Sequence, residues 1–233
     1  MIHKYFLCFL FLYWQPLAVQ AQQNEAATPI QIRAVLHDPV NPTADIYYRD
    51  HKGAVLKLEF RPKDLSAPLL TLPVNGSLVF YDKANIDSEK PEESLAATCK
   101  IPPKAKRGVV VVLPSPAGSK PVYRMVFIDD SAKVFPKGES RVLTLLSLEA
   151  GIEAGEHKLP IHPGVIANVP PVKKVNEFNM AQTNFYYKQG GAWTAFTERQ
   201  LQYLDGVRRI FIVHTTPGAL SPTVSTIVDT ATP

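Results

Sequence analysis

Tyr186, Tyr187, Trp193 and Phe196 fall close together near the C-terminal end of the chain. The runs Phe185-Tyr186-Tyr187-Lys188 and Ala192-Trp193-Thr194-Ala195-Phe196 are separated only by Gln189-Gly190-Gly191. Paired glycines tolerate the positive φ of a tight turn, so the segment predicts a β-hairpin with aromatic arms. Side chains alternate across a strand, so Tyr186 and Tyr187 must point to opposite faces, and part of the aromatic surface must face outward. An outward platform suits stacking on a sugar ring or a partner surface. Tyr186, Tyr187 and Trp193 are therefore the aromatic binding candidates, with cross-strand packing as the alternative.

A second group of candidates is electrostatic. Lys100-Ile101-Pro102-Pro103-Lys104-Ala105-Lys106-Arg107 sets four cations around a Pro-Pro pair. Lys104, Lys106 and Arg107 could meet an anionic polysaccharide or phosphate-bearing surface, or could form a solvated loop. Lys173-Lys174 and Arg208-Arg209 read as solvated pairs, and so do the acidic doublets Glu92-Glu93 and Asp129-Asp130. Adjacent carboxylates on a strand point apart, and neither doublet has a partner at a readable glycosidase spacing. His157 and His162 are five residues apart, on opposite faces of an extended chain, and lack a third ligand, so they read as loop histidines. No Gly-x-Ser-x-Gly, His-Glu-x-x-His, phosphate loop, Cys-x-x-Cys or EF-hand loop occurs. No catalytic residue, metal site or cofactor is expected.

The elements that must hold these residues are strands. Ile30 to Leu36, Val55 to Phe60, Leu78 to Tyr81, Val109 to Leu113, Val122 to Ile128, Val142 to Leu148 and Ile210 to Val213 are short and rich in Val, Ile, Phe and Tyr. Val109-Val110-Val111-Val112-Leu113 is apolar throughout and predicts a strand covered on both faces. Asn75-Gly76 marks a second tight turn, with Pro73 weakening the strand before it. Twenty prolines after Pro16 disfavour long helices. The best helical candidate is Thr197 to Gly206, with a cap-like Thr and a terminal Gly, two turns at most.

The first 21 residues carry one Lys, an apolar run from Tyr5 to Trp14 and small residues at Val19 and Ala21, the order of a cleaved signal peptide. Ten apolar residues fall short of the roughly 20 that a membrane helix needs. Export to the periplasm, cell envelope or exterior is expected, with no integral membrane segment after cleavage; an uncleaved anchor is the alternative. The remaining chain holds 24 basic and 21 acidic residues, too even a balance to argue for nucleic acid. It keeps a single cysteine, Cys99, so no internal disulfide can form. Alternation in Leu95 to Ile101 points that thiol inward.

Strands every 8–12 residues predict an all-β protein of two tandem immunoglobulin-like β-sandwich domains, with one larger sandwich as the alternative. The expected organisation is a signal peptide (1–21), a loose leader (22–29), a first sandwich (30–130) and a second (131–233). The halves do not align in sequence. The stretches Tyr123 to Ser131 and Phe135 to Leu143, the Pro163-Gly164 turn and the Gly190-Gly191-Ala192-Trp193 hairpin resemble secreted all-β bacterial proteins of similar length. That resemblance spans mainly residues 70–215. It implies kinship and export but no activity, since no function comes with the group. The sequence points to a non-enzymatic exported protein that binds envelope polysaccharide or another envelope protein. An exported hydrolase with a dispersed site is the competing class.

Overall fold

The computed structural model describes residues 28–37, 45–87 and 89–230. The expected signal peptide and residues 22–27 of the leader lie outside the described residues. Among the described residues no helix is long and apolar enough to cross a membrane.

Among the described residues sixteen strands form four four-stranded sheets. The first half contains β1 (Ile30–Leu36), β2 (Tyr47–Arg49), β3 (Val55–Lys57), β4 (Leu69–Thr71), β5 (Ser77–Tyr81), β6 (Leu95–Lys100), β7 (Arg107–Pro114) and β8 (Tyr123–Asp129). The second half contains β9 (Ser140–Thr144), β10 (Ala150–Ala154), β11 (His157–Ile161) and β12 (Ile166–Val169). It continues through β13 (Met180–Gln189), β14 (Ala192–Gln202), β15 (Arg208–His214) and β16 (Thr223–Asp229). The protein is all-β and built as sandwiches. In the first half an outer sheet, β3-β2-β5-β6, packs on an inner sheet, β4-β1-β7-β8. In the second half an outer sheet, β11-β10-β13-β14, packs on an inner sheet, β12-β9-β15-β16.

The halves repeat each other strand for strand. Adding eight to each strand number of the first half reproduces both sheet orders of the second, including the parallel pairs β1–β7 and β9–β15. Register extends the correspondence to residues. Arg33 lies opposite Val109 and Val109 opposite Ile128; Arg141 lies opposite Ile210 and Ile210 opposite Ile227. Asp130 thus corresponds to Asp229, and Arg107 to Arg208.

The two inner sheets face one another, which explains their unbroken apolar runs. Val110 and Val112 enter the core of the first sandwich, while Val109, Val111 and Leu113 enter a third core between the halves. On β15, Phe211 and Val213 point into the second sandwich, and Ile210 and Ile212 join the shared core. All nine of these side chains are at most 1% exposed.

At one end of this shared core lies a buried ionic cluster, where two expectations are corrected. Asp129-Asp130 is not a solvated pair: Asp130 is 1% exposed. Its carboxylate lies 3.0 Å from Arg33, 3.1 Å from Arg107 and 2.7 Å from Arg208. Asp229 receives Arg33 through a two-pronged contact of 2.7 and 2.9 Å and also binds Arg208. Arg208 and Arg209 are likewise buried. Strand alternation sends Asp130 inward once β8 ends at Asp129, and guanidinium forks from distant strands then compensate the desolvated charge. The repeat symmetry breaks at Phe135 in the connecting segment. Its ring lies 4.4 Å from the Arg141 guanidinium and 4.5 Å from that of Arg208. Arg141 instead binds Glu139, Asn168 and the Val134 carbonyl.

A third correction concerns the expected helix at 197–206. Residues up to Gln202 continue β14, because beyond a register shift at Phe185/Tyr186 β13 pairs antiparallel with Thr197 to Gln202 as far as Met180. Other expectations hold. Asn75 and Gly76 adopt positive φ of 50° and 69°, with mutual Val74–Ser77 hydrogen bonds and no longer strand before the turn. Cys99 is half-buried against the first core, and burial pushes its thiol up to about 11.

Candidate functional site

The second outer sheet has one face on the core and one in solvent, and strand alternation sorts its residues. On β13, Thr183 and Phe185 point inward, fully buried. Asn184, Tyr186 and Lys188 therefore point outward. Tyr187 shares the inward parity and lies 6.1 Å from the Phe196 ring. It is a packing residue, which removes it from the platform. On β10, Ala150, Ile152 and Ala154 belong to the core, leaving Glu149, Gly151 and Glu153 on the outer face. The β13–β14 turn forms at Gly190 and Gly191, with φ of 59° and 85°, and it places Trp193 opposite Lys188.

Tyr186 and Trp193 meet over Gly151. Tyr186 and Pro160 are the cross-strand partners of Gly151 on its two sides. A Cβ built on Gly151 would lie 3.1 Å from Trp193 Cζ3 and 3.5 Å from Cη2, so the indole lies across the bare backbone of this residue. Trp193 is 45% exposed. The result is a shallow, mostly apolar cleft of about 310 Å³, walled by Gly151, Pro160, Tyr186 and Trp193 with Glu153 and Lys158 at its rim.

The polar groups at the rim are mutually oriented. Tyr186 donates its hydroxyl hydrogen to the Glu153 carboxylate and accepts from Asn184 Nδ2 at 3.3 Å. Lys158 Nζ lies 2.5 Å from Glu153 Oε1. The hydrogen bonds from Lys158 and then Tyr186 hold the Glu153 carboxyl below its usual range, and the same bond to Glu153 raises the Tyr186 phenol. Glu149 lies on the far side of Gly151, bound to Lys188 at 3.1 Å. Each of the two carboxylates near Gly151 is thus engaged by a lysine, Glu153 by Lys158 and Glu149 by Lys188.

Of the sequence candidates, Tyr186 and Trp193 line this cleft; Gly151, Pro160 and Glu153, which also line it, were not singled out in the sequence. The only local signal for Gly151 was a glycine within a strand-like run, which often marks close approach of another group. The basic candidates lie elsewhere. Lys104 and Lys106 are exposed in the turn before β7, in the first half. Arg107 is bound to Asp130 in the ionic cluster and belongs to the architecture. His157 and His162 do not converge: His157 lies against Glu156 and the Pro171 carbonyl, and His162 against Glu149. Among the described residues no three His, Cys, Asp or Glu side chains are grouped to hold a metal ion.

No family model and no curated protein matches this sequence. Among solved structures, a candidate cell-adhesion protein from Bacteroides uniformis aligns over 89% of this chain and 99% of its own. Identity is 9% and the TM-score 0.21, too low for the likeness to bear on fold or function.

Proposed function

We propose that this chain is an exported, non-catalytic binding protein. Its outer β10–β13–β14 face would hold a sugar ring of an envelope or extracellular polysaccharide. The observation that carries this reading is the half-exposed Trp193 indole set against Gly151 beside Tyr186, with the Lys188 ammonium 5.5 Å from its centroid. An exposed aromatic face backed by glycine is costly to leave in water and suits the apolar face of a pyranose ring. Glu153, Lys158 and Asn184 supply acceptors and donors for ring hydroxyls at the edge of the same surface. Export is supported by the charged, apolar and small-residue order of residues 1–21. Binding is favoured over hydrolysis because each carboxylate near the cleft is held by a lysine.

The test compares the double variant Tyr186→Ala/Trp193→Ala with Lys104→Glu/Lys106→Glu in affinity electrophoresis through host envelope polysaccharide. The aromatic pair should abolish retardation at unchanged thermal stability, while the charge-reversal pair shifts it slightly and in a salt-dependent manner. A folded aromatic variant retarded like the parent would end the platform reading. Release of reducing ends by the parent would favour the hydrolase instead.

A further inference from the structure

A second concavity, unrelated to the aromatic face, lies where the two halves meet. It is a groove of about 560 Å³, within the size range of ligand pockets, formed by the ends of β1 and β15, the loop after β3, and strands β14 and β16. Its polar walls come from Lys63, Arg199, His214, Thr223, Ser225 and Thr226, and no carboxylate lines it among the described residues. His37 and His214 meet there edge to face, with ring centroids 4.5 Å apart.

Arg199 is the arginine of this groove. Arg33, Arg107, Arg141 and Arg208 each reach a carboxylate, whereas Arg199, like Arg209 on the Gln202 carbonyl, does not. Arg199, half-buried between β14 and β16, makes no ion pair among the described residues; its guanidinium lies over the Phe185 ring at 5.7 Å and donates to Thr226 Oγ1 at 2.9 Å, and its Nε is buried without a hydrogen-bond partner. Burial disfavours its charged form, against a smaller opposing effect of the Tyr203 phenol. A guanidinium that is partly desolvated, donates to one hydroxyl and faces a groove with no carboxylate among its described lining has unused donors for an incoming anion. Lys63, exposed and also without an ion pair among the described residues, adds a second positive charge to the lining. The hydroxyls along β16 add further donors, with Ser225 Oγ already 2.9 Å from His214 Nε2.

We infer that the groove between the halves binds an oxyanion, sulfate, phosphate or carboxylate, through Arg199 and Lys63. Such a group can arrive as a free ion or as a substituent of an acidic polysaccharide, and two probe arms separate these sources. One arm titrates sodium sulfate against sodium chloride at equal ionic strength; the other titrates dextran sulfate against uncharged dextran. Binding is read by microscale thermophoresis on the full mature chain. Parent protein should bind sulfate-bearing probes in preference to their controls. Arg199→Gln should lose about tenfold or more in affinity, and Lys63→Gln a few-fold, by removal of charge-assisted contacts. Lys104→Gln/Lys106→Gln and the Tyr186→Ala/Trp193→Ala pair should bind as the parent does, which keeps this site distinguishable from the aromatic face. Binding of sulfate without dextran sulfate assigns the site to a free ion, and binding of both assigns it to a polymer-borne group. The inference is overturned if no sulfate-bearing probe is preferred, or if Lys104→Gln/Lys106→Gln removes binding. It fails equally if Lys63→Gln and Arg199→Lys, both expected to fold, bind as tightly as the parent.

Discussion

Replacing Asp229 with Ala removes the carboxylate that Arg33 grips at 2.7 and 2.9 Å and that Arg208 Nε contacts at 3.0 Å. Three arginines then share Asp130, and two of them, Arg33 and Arg208, are 5% and 1% exposed. Water cannot reach these charges to replace the lost partner, so the cost is that of stranding buried charge, about 3–5 kcal/mol. For a chain of this length that corresponds to about 6–20 °C in Tm. Arg107→Ala is the internal control. Its side chain is 27% exposed and makes one contact of 3.1 Å to Asp130, so its removal should cost about 1 kcal/mol or less. Urea denaturation followed by far-ultraviolet circular dichroism measures both. A single transition with parent slope is expected in each variant, because the apolar core between the halves remains. Acid adds a second reading. Burial pushes the Asp229 carboxyl up, but Arg33 and Arg208 more than reverse this and hold it below the ordinary value. A carboxyl lowered on folding stabilises fully above its unfolded pKa, about 3.9, and loses that contribution as pH falls towards the native value. The parent should therefore weaken more steeply below about pH 4 than Asp229→Ala does. If Asp229→Ala cost no more than Arg107→Ala, the cluster would not be the electrostatic clasp of the two halves.

Gly108→Ala should cost about 1–3 kcal/mol in the same assay, because its new Cβ would sit 2.3 Å from Phe127 Cζ and the ring must be displaced; an unchanged midpoint would refute the close packing. Gly151→Ala should leave stability within about 1 kcal/mol, since the half-exposed indole can shift by tenths of an ångström. It should nonetheless alter Trp193 emission and weaken polysaccharide retardation, and loss of neither would dissociate Gly151 from the cleft. Cys99, with its thiol pushed up to about 11 by burial, should react slowly with thiol reagents at pH 8 and rapidly in denaturant. Cys99→Ser should cost about 1–2 kcal/mol in the urea assay, and fast native labelling would show the thiol to be accessible.

Much of the fold was written locally. The strand from Ile30 to Leu36 was readable to the residue, because apolar residues recur without helical spacing and are closed off by proline and charge. The unbroken Val109–Leu113 run announced a strand covered on both sides, and the Gly190-Gly191 pair announced the hairpin. That hairpin in turn fixed Tyr186 and Tyr187 to opposite faces, though which one faces solvent depends on β10 and β15, far away in sequence. The reading of 197–206 failed for a related reason: its helical cap and terminus are weak local preferences, overridden by β13 as a pairing partner.

The strand-for-strand repeat was invisible because sandwich cores demand only apolar side chains at alternating positions. Valines on β7 and Ile, Phe and Val on β15 meet that demand equally, leaving topology in common and little sequence. The ionic cluster was hidden more completely. Asp130 and Asp229 have the local character of turn residues, and their charge becomes structural only when arginines from up to 196 positions away are brought within 3 Å. Local sequence was enough for several strands, among them Ile30–Leu36 and the apolar Val109–Leu113 run, for the turn at Gly190-Gly191, and for the clustering of aromatic residues at that hairpin. Tertiary structure alone decided which charges are buried, which tyrosine is exposed and what faces each groove, because burial and ion pairing depend on distant segments that no local spacing encodes.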